Sequence, residues 1–403
     1  MPPLLALALL ASGFTVYIGE IEPRAVVIAW GNNVGSGNRI GQDAHTWGSA
    51  VVHVGPRSVS TSKAWVRIDG LQPDTEYEYS LDLDGKRAAT GRVRTWPEKA
   101  SDVAFLVIGD YGNGTTAQYA VARAMTALVN ERARTANPVR FILTVGDNIY
   151  GIPLGLIALQ TGKDDSDWWP RFFDPYRDIL ASLPFYPTLG NHDGNESEAH
   201  GDLPVYLDNF FFPGGTPSRW YHFNYAGLVD FFALDSTSNT LRGPPKPAFA
   251  DGGEQSKWLN AELPRATAPW KIPYFHHSIF NAGPGHYGEN NEERYRHWLD
   301  LFARNGVKAA FQGHEHNFQA SFVNSRSRGI RHFVTGAGGQ LRDRDVRARM
   351  QDANIEAWAA QHEFLLVEIH GDVMTVTPLG AEPIRPVKAD GTQAPVPFTV
   401  RLQ

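Results

Sequence analysis

An α+β chain is predicted, with an all-β sandwich over 13–97 followed by a larger unit over 98–403 in which strands alternate with helices. Three observations predict it. Short alternating or apolar runs separated by Gly, Pro, Asn and Asp fill the first part of the chain, as in sandwiches. After Trp96, Pro97 and Glu98 the pattern changes to strand-length apolar runs separated by helical stretches. A length of 403 residues also exceeds what one ordinary core organises.

The elements follow in order. MPPLLALALLASG opens the chain with an apolar run from Leu4 to Ala11 followed by small residues, similar to the core and cleavage region of a secretory signal. No Lys or Arg precedes the run, and it is far shorter than the roughly 20 residues that span a bilayer. The missing basic residue departs from a typical signal; residues 1–12 are read as a signal remnant of a secreted or periplasmic protein, the alternative being a buried first strand or a truncated start. Strands are expected at FTVYIGEI, AVVIAWG, AVVHVG, KAWVRIDGL, TEYEYSLDLDG and GRVRT. The stretch AWVRIDGLQPDTEYEYSLDLDG resembles the fibronectin type III pattern, a Leu-x-Pro turn before a Thr-x-Tyr-x-Tyr strand, with Trp30 as the core aromatic.

Beyond the junction, AFLVI and FILTV read as buried strands, joined by a helix over 117–136 with Ala120, Ala124, Leu128 and Val129 on one side. Further helices are expected over 171–183, 254–263 and 290–305. YHFNYA and VDFFALD form a hairpin through Gly227. The Pro-rich stretch 240–254 reads as a surface loop.

Composition excludes several functions. Zero cysteines remove disulfides, thiolate ligands and a cysteine nucleophile. A net charge of -6 without long charged runs argues against a nucleic-acid surface. No segment has the length and apolarity of a membrane span.

Five short motifs carry metal-binding residue types: GDYG from Gly109, GDNIY from Gly146, GNHD from Gly190, the pair His276 and His277, and GHEHN from Gly313. Four directly follow apolar strand-length runs, and GNHD follows the weaker FYPTL. Sheet enzymes gather ligands at the carboxyl ends of strands, so the motifs are expected to converge on one edge. A dinuclear site needs donors from several elements and a carboxylate that bridges both ions. Asp147, central in the order and preceded by Gly146, is the expected bridge. Asp110, Tyr150 and His316 would complete one site, and Asn191, His276 and His314 the other. The two histidines of GHEHN lie two residues apart, so a tight turn after Gly313 is needed to aim each at a different ion.

Taken together, these residues resemble the metallophosphoesterase superfamily, and within it the purple acid phosphatases. Most of the superfamily begins with Asp-x-His, whose histidine is a ligand; here that position is Gly112. Purple acid phosphatases make the same replacement and add a tyrosine from the second motif, where Tyr150 stands. LDS at 234–236 and GAGG at 336–339 look like family landmarks. The resemblance implies an αββα sandwich with ligands at the strand ends. It favours His276 over His277 as ligand, although Ser278 occupies a position where the family commonly has proline.

By resemblance the Tyr150 site takes Fe(III), and the second site a divalent Zn, Fe or Mn ion. The nucleophile is then a metal-bound hydroxide, not a side chain. His192 is the first candidate to assist the leaving group, with Asp193 to orient it. The resemblance places a further outer histidine at His286, while Tyr287, Glu289, Trp168 and Trp169 are candidates to line the entrance. The expected activity is hydrolysis of small phosphate monoesters. The alternatives are a phosphodiesterase or nucleotide phosphatase on the same metals, and a non-catalytic binding protein with a phosphatase-like domain.

Overall fold

Short apolar runs form the N-terminal strands, of which Phe14–Ile21 and Ala25–Asn32 are buried along nearly their whole length, and two sheets result. The structure, a computed structural model, describes residues 13–33, 40–154, 157–159, 161–193, 203–237 and 248–402. The proposed signal remnant and most of the Pro-rich loop lie outside the described residues. Phe14–Ile21, Ala25–Asn32 and Trp65–Asp69 form a three-stranded antiparallel sheet. Arg57–Lys63, His45–Val54, Glu76–Leu83 and Lys86–Arg94 form a four-stranded one. Trp30 is buried in the core, as expected. Arg57–Lys63 was not foreseen, because its sequence RSVSTSK is polar and mostly exposed and carries no apolar alternation.

The larger unit is built on two facing sheets. In one, Phe185–Pro187, Val139–Thr144 and Asp102–Ile108 run parallel, and Phe364–His370, Val373–Leu379 and Phe398–Arg401 continue the sheet antiparallel. In the other, the spatial order is Tyr221–Tyr225, Val229–Ala233, Trp270–His277, Ala309–Gly313, Arg331–Thr335, Phe318–Ser321 and Ile355–Ala359. Aromatic rings fill the space between them: Phe105 meets Phe231 edge-on at 5.2 Å, and Phe141 meets Phe231 at 5.3 Å. The helices Glu254–Glu262 and Arg296–Arg304 cover the outer face of the second sheet through a separate apolar cluster containing Leu259, Phe275, Trp298 and Phe302. No helix among the described residues is long and apolar enough to cross a membrane.

Several helices differ from the periodicity reading. The crossover helix spans Thr116–Arg132 and buries Gln118, Val121, Ala122 and Met125, a stripe rotated from the one expected. Ala124, Leu128 and Val129 lie only at its margin. The 171–183 stretch breaks into a π-helical turn at Trp169–Phe173 and a short helix at Arg177–Leu180, because Phe172, Phe173 and Tyr176 all turn into the core. The 290–305 stretch is interrupted at Tyr295, whose hydroxyl donates to the Ser236 carbonyl. The hairpin matches: Ala226 and Gly227 both have positive φ, as a tight turn matching strand twist requires.

One hydrophobic core runs through both units. Tyr17 packs on Phe173 at 5.6 Å and Trp65 on Phe211 at 5.5 Å. Ile40 N donates to Asp165 Oδ2 (2.7 Å) and Asp43 N to Asp208 Oδ1 (2.6 Å). Trp96, at the junction, is buried among Phe141, Tyr186, Phe223 and Tyr225. A seam of this kind resists hinge motion between the sandwich and the site-bearing sheets.

Candidate metal centre

All five motifs leave their strands at the carboxyl ends and meet on one edge. The first two are zipped by backbone bonds: Asp110 N donates to the Gly146 carbonyl (3.0 Å) and Tyr150 N to the Gly112 carbonyl (2.8 Å). Gly112 is a steric necessity, because a Cβ there would lie 1.9 Å from the Asn148 carbonyl oxygen. A histidine therefore cannot stand at 112 while the second loop lies over it. That same close approach brings Tyr150 into the cluster, so the missing histidine and the added tyrosine share one cause.

Asp110, Asp147 and His314 all have left-handed backbones, with φ of 54, 52 and 74°. Non-glycine residues held there store strain and point to a geometry fixed by its surroundings. His314 N donates to Asp110 Oδ2 (2.9 Å), and His192 N donates to Asp147 Oδ1 (2.9 Å). The turn at His314 sends it towards His276 while His316 turns towards Tyr150, which resolves the spacing problem of the fifth motif.

Two donor groups result. Tyr150 Oη lies 3.1 Å from Asp110 Oδ1 and 3.2 Å from His316 Nε2. His276 Nε2 lies 3.0 Å from Asn191 Oδ1, 3.1 Å from His314 Nδ1 and 3.4 Å from Asp147 Oδ1. Ligand atoms of Asp110, Asp147 and His276 lie within 4.8 Å of one another, and Asp147 stands between the groups.

This arrangement fits cations. His276 Nδ1 donates to the Val145 carbonyl (2.8 Å), which leaves the Nε2 lone pair facing inward. His314 Nε2 faces the Glu289 carboxylate at 3.1 Å, which leaves Nδ1 inward. Two lone pairs and the Asn191 carbonyl oxygen then confront one another with no hydrogen between them. Asp147 Oδ2 is buried without a hydrogen-bond partner. Only a positive charge satisfies such a set.

Electrostatics agree. Burial, together with the adjacent Asp147, pushes the Asp110 carboxyl up to about 8. Burial also acts to raise Asp147, but His276 and His192 beside it hold it below the usual carboxylate range. Burial and then the two carboxylates raise the Tyr150 phenol. Burial and neighbouring imidazoles lower His314, and burial followed by Arg342 lowers His316 to about 3. His314 and His316 are thus neutral and able to ligate.

His192 is exposed, and its ring lies 4.8 Å from that of Tyr150. Asp193 differs from the expectation that it orients His192. Its carboxylate accepts from Asn148 N (2.7 Å), Asn148 Nδ2 (2.9 Å), Ile149 N (3.2 Å) and Gly190 N (2.6 Å), and so ties the third motif to the second. His277 bonds Ser236 Oγ through Nδ1 (2.9 Å), with its ring 4.3 Å from that of His314. His286 stacks on His314 at 3.6 Å and bonds Glu289 Oε1 at 2.6 Å. Glu289 is therefore a direct partner of two imidazoles, and it also lines a cavity with His286 and Tyr287. Its spacing of three from His286 was the only signal available. Trp168 and Trp169 are buried packing residues, while Tyr287 is exposed.

The calcineurin-like phosphoesterase family model matches residues 97–318. An uncharacterized protein of Mycobacterium tuberculosis is 25% identical over 376 residues, covering 81% of this chain and 69% of that protein. Purple acid phosphatase 3 of Arabidopsis thaliana is 30% identical over 258 residues, 59% of this chain and 63% of the relative. Tartrate-resistant acid phosphatase type 5 of Rattus norvegicus is 26% identical over 279 residues, 63% and 78% respectively. In fold, the chain is similar to the structure of PhoD (TM-score 0.66, 14% identity, 94% of this chain and 91% of that one). It is also similar to purple acid phosphatase PPD1 of yellow lupin, Lupinus luteus (TM-score 0.64, 15% identity, 95% and 73%).

Proposed function

The chain belongs to the calcineurin-like phosphoesterase family, and from that premise we propose that it is a two-metal phosphomonoesterase of purple acid phosphatase type. The observation that carries the subfamily reading is the close approach of the second motif over Gly112, which excludes a histidine ligand and installs Tyr150 instead. In this reading residues 98–403 form the catalytic unit. Asp110, Tyr150 and His316 hold Fe(III); Asn191, His276 and His314 hold a divalent Zn, Fe or Mn ion; Asp147 bridges. When bound, the two ions supply positive charge against the phosphate and acidify water.

The remaining work belongs to side chains. His192, exposed beside Tyr150, donates a hydrogen bond or proton to the departing alkoxide. His286, held by Glu289 against His314, contributes a second polar contact to the bound phosphate. Asp193 keeps the second and third motifs in register, so Asp147 and Asn191 reach the same point. A secreted or periplasmic location belongs to the same proposal and is supported by the apolar run from Leu4 to Ala11.

The test is metal analysis of the purified protein with a panel of phosphate mono- and diesters. Two metals per chain and preference for monoesters are expected. Iron-loaded protein should absorb in the visible through phenolate charge transfer, and Tyr150→Phe should remove that band. Preference for diesters would replace the monoesterase assignment, and a metal-free active protein would overturn the reading altogether.

A further inference from the structure

Between the two histidines of the fifth motif stands Glu315, a fully buried carboxylate bonded to the 281–286 loop. Its Oε2 accepts from Gly285 N (3.1 Å), His286 N (3.0 Å) and Asn281 Nδ2 (3.3 Å). Arg342, the nearest cation, reaches Oε1 only at 3.5 Å. Gly283 packs flat against the same side chain, since a Cβ there would lie 2.1 Å from Glu315 Cγ and Cδ. The 281–286 loop is thus fastened to the turn that presents His314 and His316. The loop has no regular secondary structure; its start is also tied by Gln319, which accepts from Ala282 N (2.9 Å) and donates to Asn281 Oδ1 (2.9 Å), while Glu315 holds its end at Gly285 and His286.

That fastening has a visible result at its end. The His286 ring lies 3.6 Å from the His314 ring, and Glu289, bonded to His286, reaches His314 Nε2 at 3.1 Å. We infer that Glu315 is a positioning residue that sets His286 and Glu289 against His314, which rests on the outer role proposed above for His286. One carboxylate, held between two ligand histidines, couples the metal-binding turn to the loop that meets the phosphate. Burying a charged acceptor is costly unless backbone N–H groups satisfy it, and here they come from the loop being positioned.

The experiment compares Glu315→Ala, Glu315→Gln and His286→Ala in the full chain. Metal content, kcat and KM are measured with an aryl phosphate and with an alkyl phosphate of poorer leaving group. All three variants should retain metal. Glu315→Ala should lower kcat ~10–100-fold, the range for outer-shell partners of a metal site, as His286→Ala does. Glu315→Gln keeps an acceptor oxygen and should restore most of the turnover. The double alanine variant should be no worse than His286→Ala alone, because residues acting as a unit are not additive. Losses that multiply in the double variant, wild-type kcat in Glu315→Ala, or metal lost in step with activity would each overturn the inference.

If Glu315→Ala does not fold, Gly283→Ala displaces the same carboxylate and carries the same expectations. Undiminished kcat in His286→Ala would sink the outer role of His286 itself. Amide exchange at Gly285 and His286 then decides the matter. Faster exchange in Glu315→Ala but not in Glu315→Gln supports the positioning role, and unchanged exchange removes it.

Discussion

Glu20 sits on the strand Phe14–Ile21 at the seam between the sandwich and the catalytic sheets, and Glu20→Gln should stabilise the protein at alkaline pH. Burial, reinforced by Glu22, raises its carboxyl from 4.5 to about 7. Arg67 cannot hold it ionised. Its guanidinium is engaged bidentately by Glu22 (2.8 and 2.6 Å) and approaches Glu20 only to 3.7 Å. A carboxyl whose folded value lies above its unfolded one binds more protons in the native state, so stability falls as pH rises. Its contribution is fully present below 4.5 and lost as pH climbs to about 7. At ~1.4 kcal/mol per pH unit, the whole window amounts to ~3 kcal/mol. Gln mimics the protonated acid at every pH, so wild type and variant should match at pH 4 and diverge by up to that amount above pH 7. Urea unfolding across this range measures it directly. With an unfolding entropy scaled to 403 residues, the same difference is ~4 °C in Tm. A wild-type-to-variant difference that is constant from pH 4 to 8 would refute the reasoning, and would mean that Arg67 turns to Glu20 after all.

Other outcomes follow from the site and the seam. Asp147→Ala should remove both metals, measured by elemental analysis, and reduce phosphatase activity to background; retained activity would dismiss the bridging role. His192→Ala should lower kcat by ~100-fold, the lower end for a lost proton donor, while both metals stay bound. Trp96→Ala should cost ~3–5 kcal/mol in denaturant unfolding, because it empties a space ringed by Phe141, Tyr186, Phe223 and Tyr225.

The clustering of candidate ligands was legible because metal chemistry demands particular residue types and sheet topology delivers them to strand ends. Asp110, Asp147 and His276 each follow an apolar run, and nothing but chain order was needed to collect them. Asp193, Glu289 and Glu315 were harder, because their partners lie elsewhere in the chain and a carboxylate looks the same in any loop. Gly112 was legible as a replacement, but its cause, the Asn148 carbonyl at van der Waals contact, belongs to the packing. Helix boundaries failed where aromatic burial overrode periodicity, as at Phe172, Phe173 and Tyr176. Arg57–Lys63 was invisible because an exposed edge strand carries no apolar signal.

The strand Asp102–Ile108, which delivers the first carboxylate, is paired on one side by Val139–Thr144 and on the other by Phe364–His370. Its second neighbour is synthesised more than two hundred residues later. During vectorial synthesis that edge stays open until Phe364–His370 leaves the ribosome, and pairing over such a separation is slow. A nascent chain therefore carries Asp110 on an incomplete sheet until Phe364–His370 has been made and paired. A nick or stop before Phe364 would leave a long apolar edge rather than a smaller enzyme, the form that quality control removes.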